Sequence, residues 1–291
     1  MGNLRDIRTR IGAIKTTRQV TSAMKMISAA RLKKAQDDVW HIRPYTSHLI
    51  GIINDMVAAH PNININYTMP GKGPKVVLWV IASNRGLCGA FNINVVKAVQ
   101  RLLKTELKED YKAGNVEIRV LGKQAWKMLK SRGITPHIWE EGHLAQPSFS
   151  KISMMADELI DEYDLGILNK SIVVYNEFIN AAVQHVQTQQ FLPVTIPEIK
   201  RDKPISKYIL EPDRQSIVNT LMPKTLRSLL YQVVLESLAA EHGARMTSMH
   251  KATDNASDLI NELQLTYNKE RQSAITNELI EITSGAEALK K

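Results

Sequence analysis

The two ends of this chain read as helices too long for an ordinary globular domain. From Asn3 to Arg43 there is no proline and a single glycine, Gly12, and from Lys224 to Ser284 there is again no proline and one glycine, Gly243. At 1.5 Å per residue such stretches make helices of roughly 60 and 90 Å. Uninterrupted patterns of this length indicate coiled coils or membrane spans. The longest apolar run, Val76–Ala82, falls far short of the roughly 18 residues a bilayer requires, which leaves the coiled coil. A chain that pairs its first helix with its last makes a rod carrying a compact domain, and a rod transmits force or bridges partners.

Charge narrows the partners. The net charge is +9, and residues 1–36 carry Arg5, Arg8, Arg10, Lys15, Arg18, Lys25, Arg31, Lys33 and Lys34 against Asp6 alone. The region from Asp213 onward is close to neutral. A basic helix calls for an acidic partner such as nucleic acid, anionic lipid or an acidic protein surface, or else it is a solvated face. A hydrophobic content of 44% excludes a disordered chain. The single cysteine, Cys88, excludes an internal disulfide and fits a reducing compartment. The eight histidines are scattered without cysteine partners, so no zinc site is predicted. The N-terminus lacks the apolar stretch of a signal peptide. Met1-Gly2 opens like a myristoylation site, but Asp6 stands where serine or threonine belongs.

Leu4, Ile7, Ile11 and Ile14, spaced by three and four, form one apolar stripe on the first helix. Small residues follow (Thr21, Ser22, Ala23, Ser28, Ala29, Ala30), which let another helix approach closely, and Met26 is assigned to core packing. The helical pattern is predicted to stop at Arg43-Pro44. Residues Pro61 to Pro74 read as a loop. Strands are predicted at Lys75–Ala82, Val116–Leu121, Ile134–Glu140 and Ser171–Phe178, with an edge strand at Val183–Phe191. Helices are predicted at Asn92–Lys108, capped by Asn92, at Gly122–Ser131 and at Ser150–Tyr163. Strands alternating with helices predict a mostly parallel sheet covered on both faces. Pro197 to Asp213 is a polar connector, and Glu211-Pro212-Asp213 opens the last helix. That helix carries Leu226, Leu229, Leu230 and Val233, then Leu259 and Leu263, then a heptad-like seam of Ile275, Leu279, Ile282, Ala286 and Leu289. The first helix is too short to cover that final seam, so a partner is expected there. The fold class is therefore α/β, with a long antiparallel coiled coil of N- and C-terminal helices plus a Rossmann-like α/β domain. The first helix is assigned to 1–60, the α/β domain to 61–212 and the last helix to 213–291.

Ser83 to Asn92 follows the first strand and precedes a helix, the place where open α/β sheets bind nucleotides. It holds neither a G-x-G-x-x-G nor a G-x-x-x-x-G-K-[ST] pattern. Cys88 has no histidine near it in sequence and reads as a buried structural thiol. The segment is taken as a tight strand-to-helix turn, and no catalytic, cofactor-binding or metal-binding residue is predicted.

Three groups of segments carry a family resemblance. Ile275-Thr276-Asn277-Glu278-Leu279-Ile280-Glu281-Ile282-Thr283-Ser284-Gly285-Ala286 resembles the C-terminal signature of the gamma-chain family of F-type ATP synthases. Asp6-Ile7-Arg8 through Met24-Lys25-Met26, with Arg31 to Gln36, resembles the family's N-terminal helix, and Arg85-Gly86-Leu87-Cys88-Gly89 its central signature. Ala244-Arg245-Met246 through Ala256, and Glu262 to Gln272, extend the match, whereas Pro61–Pro74 and Gly133–Ser148 carry little of it. The resemblance implies a non-catalytic central rotor shaft with an α/β foot. Its partners would be the alpha and beta subunits of the catalytic head, three of each, the epsilon subunit and the membrane c-ring. It would couple proton or sodium flow to ATP synthesis or hydrolysis. It also implies that Met24 and Lys25 meet an acidic lever of beta, that Arg271 and Gln272 meet a catch loop, that Thr276 and Glu278 belong to the same contact region, and that Arg245 steadies it. The cysteine-bearing regulatory insertion of chloroplast relatives is missing, and with no transit peptide a bacterial, cytoplasmic-side peripheral membrane location is expected. The rival classes are a basic coiled-coil nucleic-acid-binding protein, which lacks aromatic interleaving and a reading motif, and a small α/β enzyme, which lacks a convergent polar constellation.

Overall fold

A computed structural model describes residues 2–59, 66–140, 142, 144, 147–195, 211 and 213–288. Leu289, the start of the Pro61–Pro74 loop, parts of the 133–148 connector and nearly all of the 197–213 connector lie outside the described residues. The elements run α1 (Gly2–Ala59), a short 3-10 turn (Asn66–Thr68), β1 (Lys75–Ile81), α2 (Phe91–Lys104), α3 (Lys108–Lys112), β2 (Val116–Leu121), α4 (Lys123–Lys130), β3 (Ile138–Glu140), α5 (Phe149–Asp164), β4 (Leu168–Phe178), β5 (Gln184–Leu192) and α6 (Arg214–Ala288). The chain divides into two compact units, one of Met1–Ser28 with Met246–Lys291, the other of Ala29–Arg245.

The larger unit is built on a five-stranded sheet of order β3-β2-β1-β4-β5. β1 pairs in parallel with β2 and β4, β2 in parallel with β3, and β5 runs antiparallel against β4. β1 is buried on both faces, as the central strand of a doubly covered sheet must be. Its alternate side chains serve separate cores. Val77, Trp79 and Ile81 pack with Ile53 and Met56 of α1, with α5, and with Leu226, Leu230 and Val234 of α6. Val76, Leu78 and Val80 pack with Val95, Val96 and Val99 of α2 and with Leu129 of α4. The expected parallel sheet with helices on both faces is present, and its predicted edge strand is β5.

Local structure departs from the sequence reading at several points. α1 does not stop before Pro44 but continues through it to Ala59. A proline inside a helix costs roughly 3 kcal/mol by removing one backbone donor and crowding the preceding turn. Here Leu49, Ile53 and Met56 beyond it are buried, and burying aliphatic side chains contributes about 1.5–3 kcal/mol each, so the extra turns are retained. The helix predicted over Asn92–Lys108 divides at Thr105 into α2 and α3. Asn92 is not its cap. It is buried inside the first turn, and its side chain turns back to Ser83. Ser148 caps α5 by accepting from the Lys151 amide, and Asp213 accepts from the amide and hydroxyl of Ser216 at the start of α6.

Within the smaller unit, α1 and α6 face each other along matching seams. On α1 the covered positions include Leu4, Ile7, Ile11, Ile14 and Thr21, partly buried, and buried Ser28. On α6 they include buried Met249, Ala256 and Ile260 and partly buried Thr253, Leu263, Tyr267 and Glu270. Both follow the alternating three-four spacing of a coiled coil. Leu259, one of the apolar residues noted on the last helix, is exposed, and Ala256 and Ile260 beside it are the buried positions. Met26 likewise is no core residue: it is 66% exposed on the side of α1 away from that seam.

Candidate partner-contact surface

In the smaller unit small side chains allow polar cross-links between the helices. Thr253 Oγ1 donates to Thr21 Oγ1 at 2.9 Å and also bonds the Met249 carbonyl. Lys25 Nζ lies 3.2 Å from His250 Nδ1, and the same nitrogen lies 3.4 Å from Asp254 Oδ2. Met24 is partly buried and its carbonyl accepts from buried Ser28 Oγ. Met24 and Lys25 thus sit at the margin of the seam, and Arg5, Arg8, Arg10, Lys15 and Arg18 lie exposed along α1.

Past Glu270 the seam ends among the described residues. Every described side chain from Arg271 to Ala286 is exposed. Arg271, Gln272, Thr276 and Glu278 all lie in this segment. So does the predicted stripe, with Ile275, Leu279 and Ile282 between 49% and 62% exposed. Among the described residues Thr276 Oγ1 bonds back to the Gln272 carbonyl, the usual local satisfaction of a helical threonine.

Arg245 belongs to a different place, at the foot of the Ser83–Asn92 turn in the larger unit. It is 7% exposed. Its Nη1 donates to Glu241 Oε1 at 2.6 Å and its Nη2 to the Arg85 carbonyl at 2.9 Å, with the Gly86 carbonyl at 3.4 Å. The turn needs such a clamp, since Leu87 has a φ of 64°, costly for a branched side chain, and is 62% exposed. Gly122 closes the other side. Its φ is 115°, and a Cβ there would lie 2.2 Å from the Ala82 carbonyl oxygen. Cys88 points inward, 2% exposed, with Phe91, Ala240 and Ala244 around it and Asn92 Nδ2 3.2 Å from its sulfur. The Arg85 and Gly86 carbonyls of this turn are turned toward the Arg245 guanidinium, and its thiol is turned inward.

Glu241 and His242, adjacent on α6, were not picked out in the sequence. The i, i+4 spacing of Glu241 to Arg245 was a usable signal, whereas the Lys25–His250 pairing joins residues 225 positions apart and leaves none. Burial pushes the Glu241 carboxyl pKa up, and Arg245, Arg31 and Arg85 oppose that shift. Burial, with the cations Arg245 and Arg31, lowers the pKa of His242 to about 4, and its Nδ1 is buried without a hydrogen-bond partner among the described residues. A histidine depressed on folding stabilises the chain fully above its ordinary value of 6.5 and loses that contribution as pH falls toward about 4. Urea unfolding of the pure chain should show lower stability at pH 5 than at pH 7. His242→Gln should flatten that difference, and an equal slope in the variant would assign it elsewhere.

Burial is also the main influence on Cys88, raising its thiol pKa against the lowering influence of Ser83. A thiol of that kind is a poor nucleophile. Cys88→Ser is expected to leave assembly intact, and the folded chain to resist iodoacetamide at neutral pH until denatured. Alkylation at the rate of a free thiol would contradict this burial.

A family model described as ATP synthase matches residues 3–289. The ATP synthase gamma chain of Flavobacterium johnsoniae is 44% identical, covering 99% of both chains, and that of Flavobacterium psychrophilum is 45% identical over the whole of both. The chain belongs to the ATP synthase gamma-chain family. Among solved structures it shares its fold with a chain of the Euglena gracilis mitochondrial ATP synthase, OSCP/F1/c-ring, at a TM-score of 0.66 and 19% identity, over 99% of this chain and 95% of that one. A chain of the Tetrahymena thermophila mitochondrial ATP synthase central stalk and c-ring aligns with a TM-score of 0.57 and 22% identity, over 80% of this chain and 99% of that one. In this member of the family the central signature Arg85–Gly89 is the turn that Arg245 clamps, and the C-terminal signature is the segment α1 leaves uncovered. No helix among the described residues is long and apolar enough to cross a membrane.

Proposed function

We propose that this chain is the turning central stalk of a proton- or sodium-translocating F-type ATP synthase, gripped by the catalytic head along the exposed end of α6. The observation that carries the reading is the abrupt end of the helix pair at Glu270, which leaves an apolar stripe and the signature polar residues bare. Family membership supplies the assembly: three alpha and three beta subunits around the shaft, with the epsilon subunit and the c-ring at the foot formed by residues 61–212. In this reading Met24 and Lys25 face an acidic lever of beta, Arg271, Gln272, Thr276 and Glu278 face its catch region, and Arg245 belongs to the network that steadies the contact. An asymmetric shaft favours a different state of each beta site as it turns, which is control by differential contact. The chain contributes no catalytic group and requires no cofactor. A peripheral position on the cytoplasmic face of a bacterial plasma membrane follows from the same assembly.

Isolation from native membranes tests this. The tagged chain should come away with an ATP-hydrolysing complex, while the pure chain should hydrolyse no ATP and bind none at micromolar concentration in equilibrium dialysis. Recovery with nucleic acid, or alone with activity, would overturn the reading.

A further inference from the structure

β5 forms one margin of the sheet, and no described strand pairs with its outer side. Exposed edge strands normally carry lysine, proline or bulges that discourage pairing with another chain. β5 is nine residues long, Gln184 to Leu192, with no proline, no lysine and no carboxylate. Its pairing with β4 is regular from Ile172 to Phe178 and shifts register only at its far end, where Ser171 pairs with Leu192 and Ile172 with Gln190. Among the described residues no strand takes that edge.

The ground on either side of it suits alternate side chains of such a strand. On one face Gln187 and Gln189 border a groove of about 550 Å³ floored by Ile50, Ile53, Met222 and Leu226. On the other, Val186 and Thr188 (Thr188 borders both) flank a groove of about 440 Å³ lined by Asn94, Lys97, Arg101 and Glu106 of α2 and the residues after it. Lys97 and Arg101 are exposed, so the second groove carries an excess of positive charge. The first groove has an apolar floor with Glu177, Asn54 and Thr225 also in its lining, the second carries the positive charge, and a strand edge separates them.

We propose that β5 is a docking edge for an extended segment of a protein partner, which adds a sixth strand to the sheet. Its alternate side chains are apolar toward α1 and α6 and acidic toward α2. Main-chain hydrogen bonds along β5 supply affinity, and the two unlike grooves fix register and orientation, since a one-residue slip would place carboxylates on the apolar floor. The inference rests on the stalk reading only for the assembly in which it is measured.

Hydrogen exchange read at single residues on the free chain and on the complex isolated from native membranes tests it. Alternate amides of β5, those not bonded to β4, should exchange quickly in the free chain and slow at least tenfold in the complex. The double variant Lys97→Glu/Arg101→Glu, exposed and outside the helix-end contacts, should enter the complex yet lose most of that protection. Thr188→Pro should do the same, and circular dichroism of the pure variant shows whether the sheet is intact. Equal β5 exchange in the free and assembled wild-type chain overturns the docking edge while leaving the stalk reading standing. Failure of the chain to join any complex overturns the stalk reading instead. Slowed exchange in the pure chain with a doubled mass by light scattering would assign the edge to a second copy, against the proposal.

Discussion

Arg245→Ala should destabilise the pure chain by about 3–5 kcal/mol, the usual consequence of removing one member of a buried ion pair. Glu241 would keep its burial and lose the cation at 2.6 Å, and the Arg85 and Gly86 carbonyls would lose their donor. Arg245→Lys should fall between, since an ammonium restores the charge without the planar fork that spans carboxylate and carbonyls. pH supplies a second signature. The Glu241 carboxyl is already pushed above its ordinary 4.5 by burial, and loss of Arg245 raises it further. A carboxyl whose folded pKa lies above its unfolded value favours folding below the unfolded value and loses that contribution as pH rises through the folded one. The defect of Arg245→Ala should therefore shrink on acidification from pH 7, relative to wild type at each pH. Glu241→Gln added to Arg245→Ala should recover part of the loss at neutral pH. Urea titrations of the four chains check this, and a double variant no more stable than Arg245→Ala alone would show that the carboxylate is not what the arginine compensates.

Ile282→Asp should separate the free chain from the assembled one. Ile282 is 62% exposed, so in isolation the change should stay within about 0.5 kcal/mol, as for other surface substitutions. In the assembled complex the stripe of Ile275, Leu279 and Ile282 is expected inside an apolar sleeve. There, an aliphatic side chain contributes about 1.5–3 kcal/mol, and an unpaired carboxylate costs more. Retention of the chain in the complex should fall at least tenfold. Hydrogen exchange over residues 275–286 should be rapid in the free chain and slow in the complex. Equal protection in both would mean that the stripe already has a partner within the chain. Dropping only the last few residues should be milder, because the contacts proposed for Arg271 and Gln272 would remain.

The long helices, the alternating strands and the uncovered C-terminal stripe were legible from periodicity and from glycine and proline spacing, because those signals are local and repeat over many residues. The order of the central elements followed from the same signals. Other features depended on what each residue meets in the fold. Pro44 stays helical because the turns beyond it bury Leu49, Ile53 and Met56 against the sheet. Asn92 becomes a buried partner of Ser83 instead of a cap because β1 delivers Ser83 beside it. Met26 and Leu259 look like core residues in composition, yet the faces of α1 and α6 that meet are set by Ser28, Ala256 and Ile260. The Arg245 clamp on Arg85 and Gly86 joins residues about 160 positions apart. Local propensity determines which segments are helix or strand, but which face is covered and which polar group is compensated depends on contacts between distant segments, and those exist only once the chain has folded.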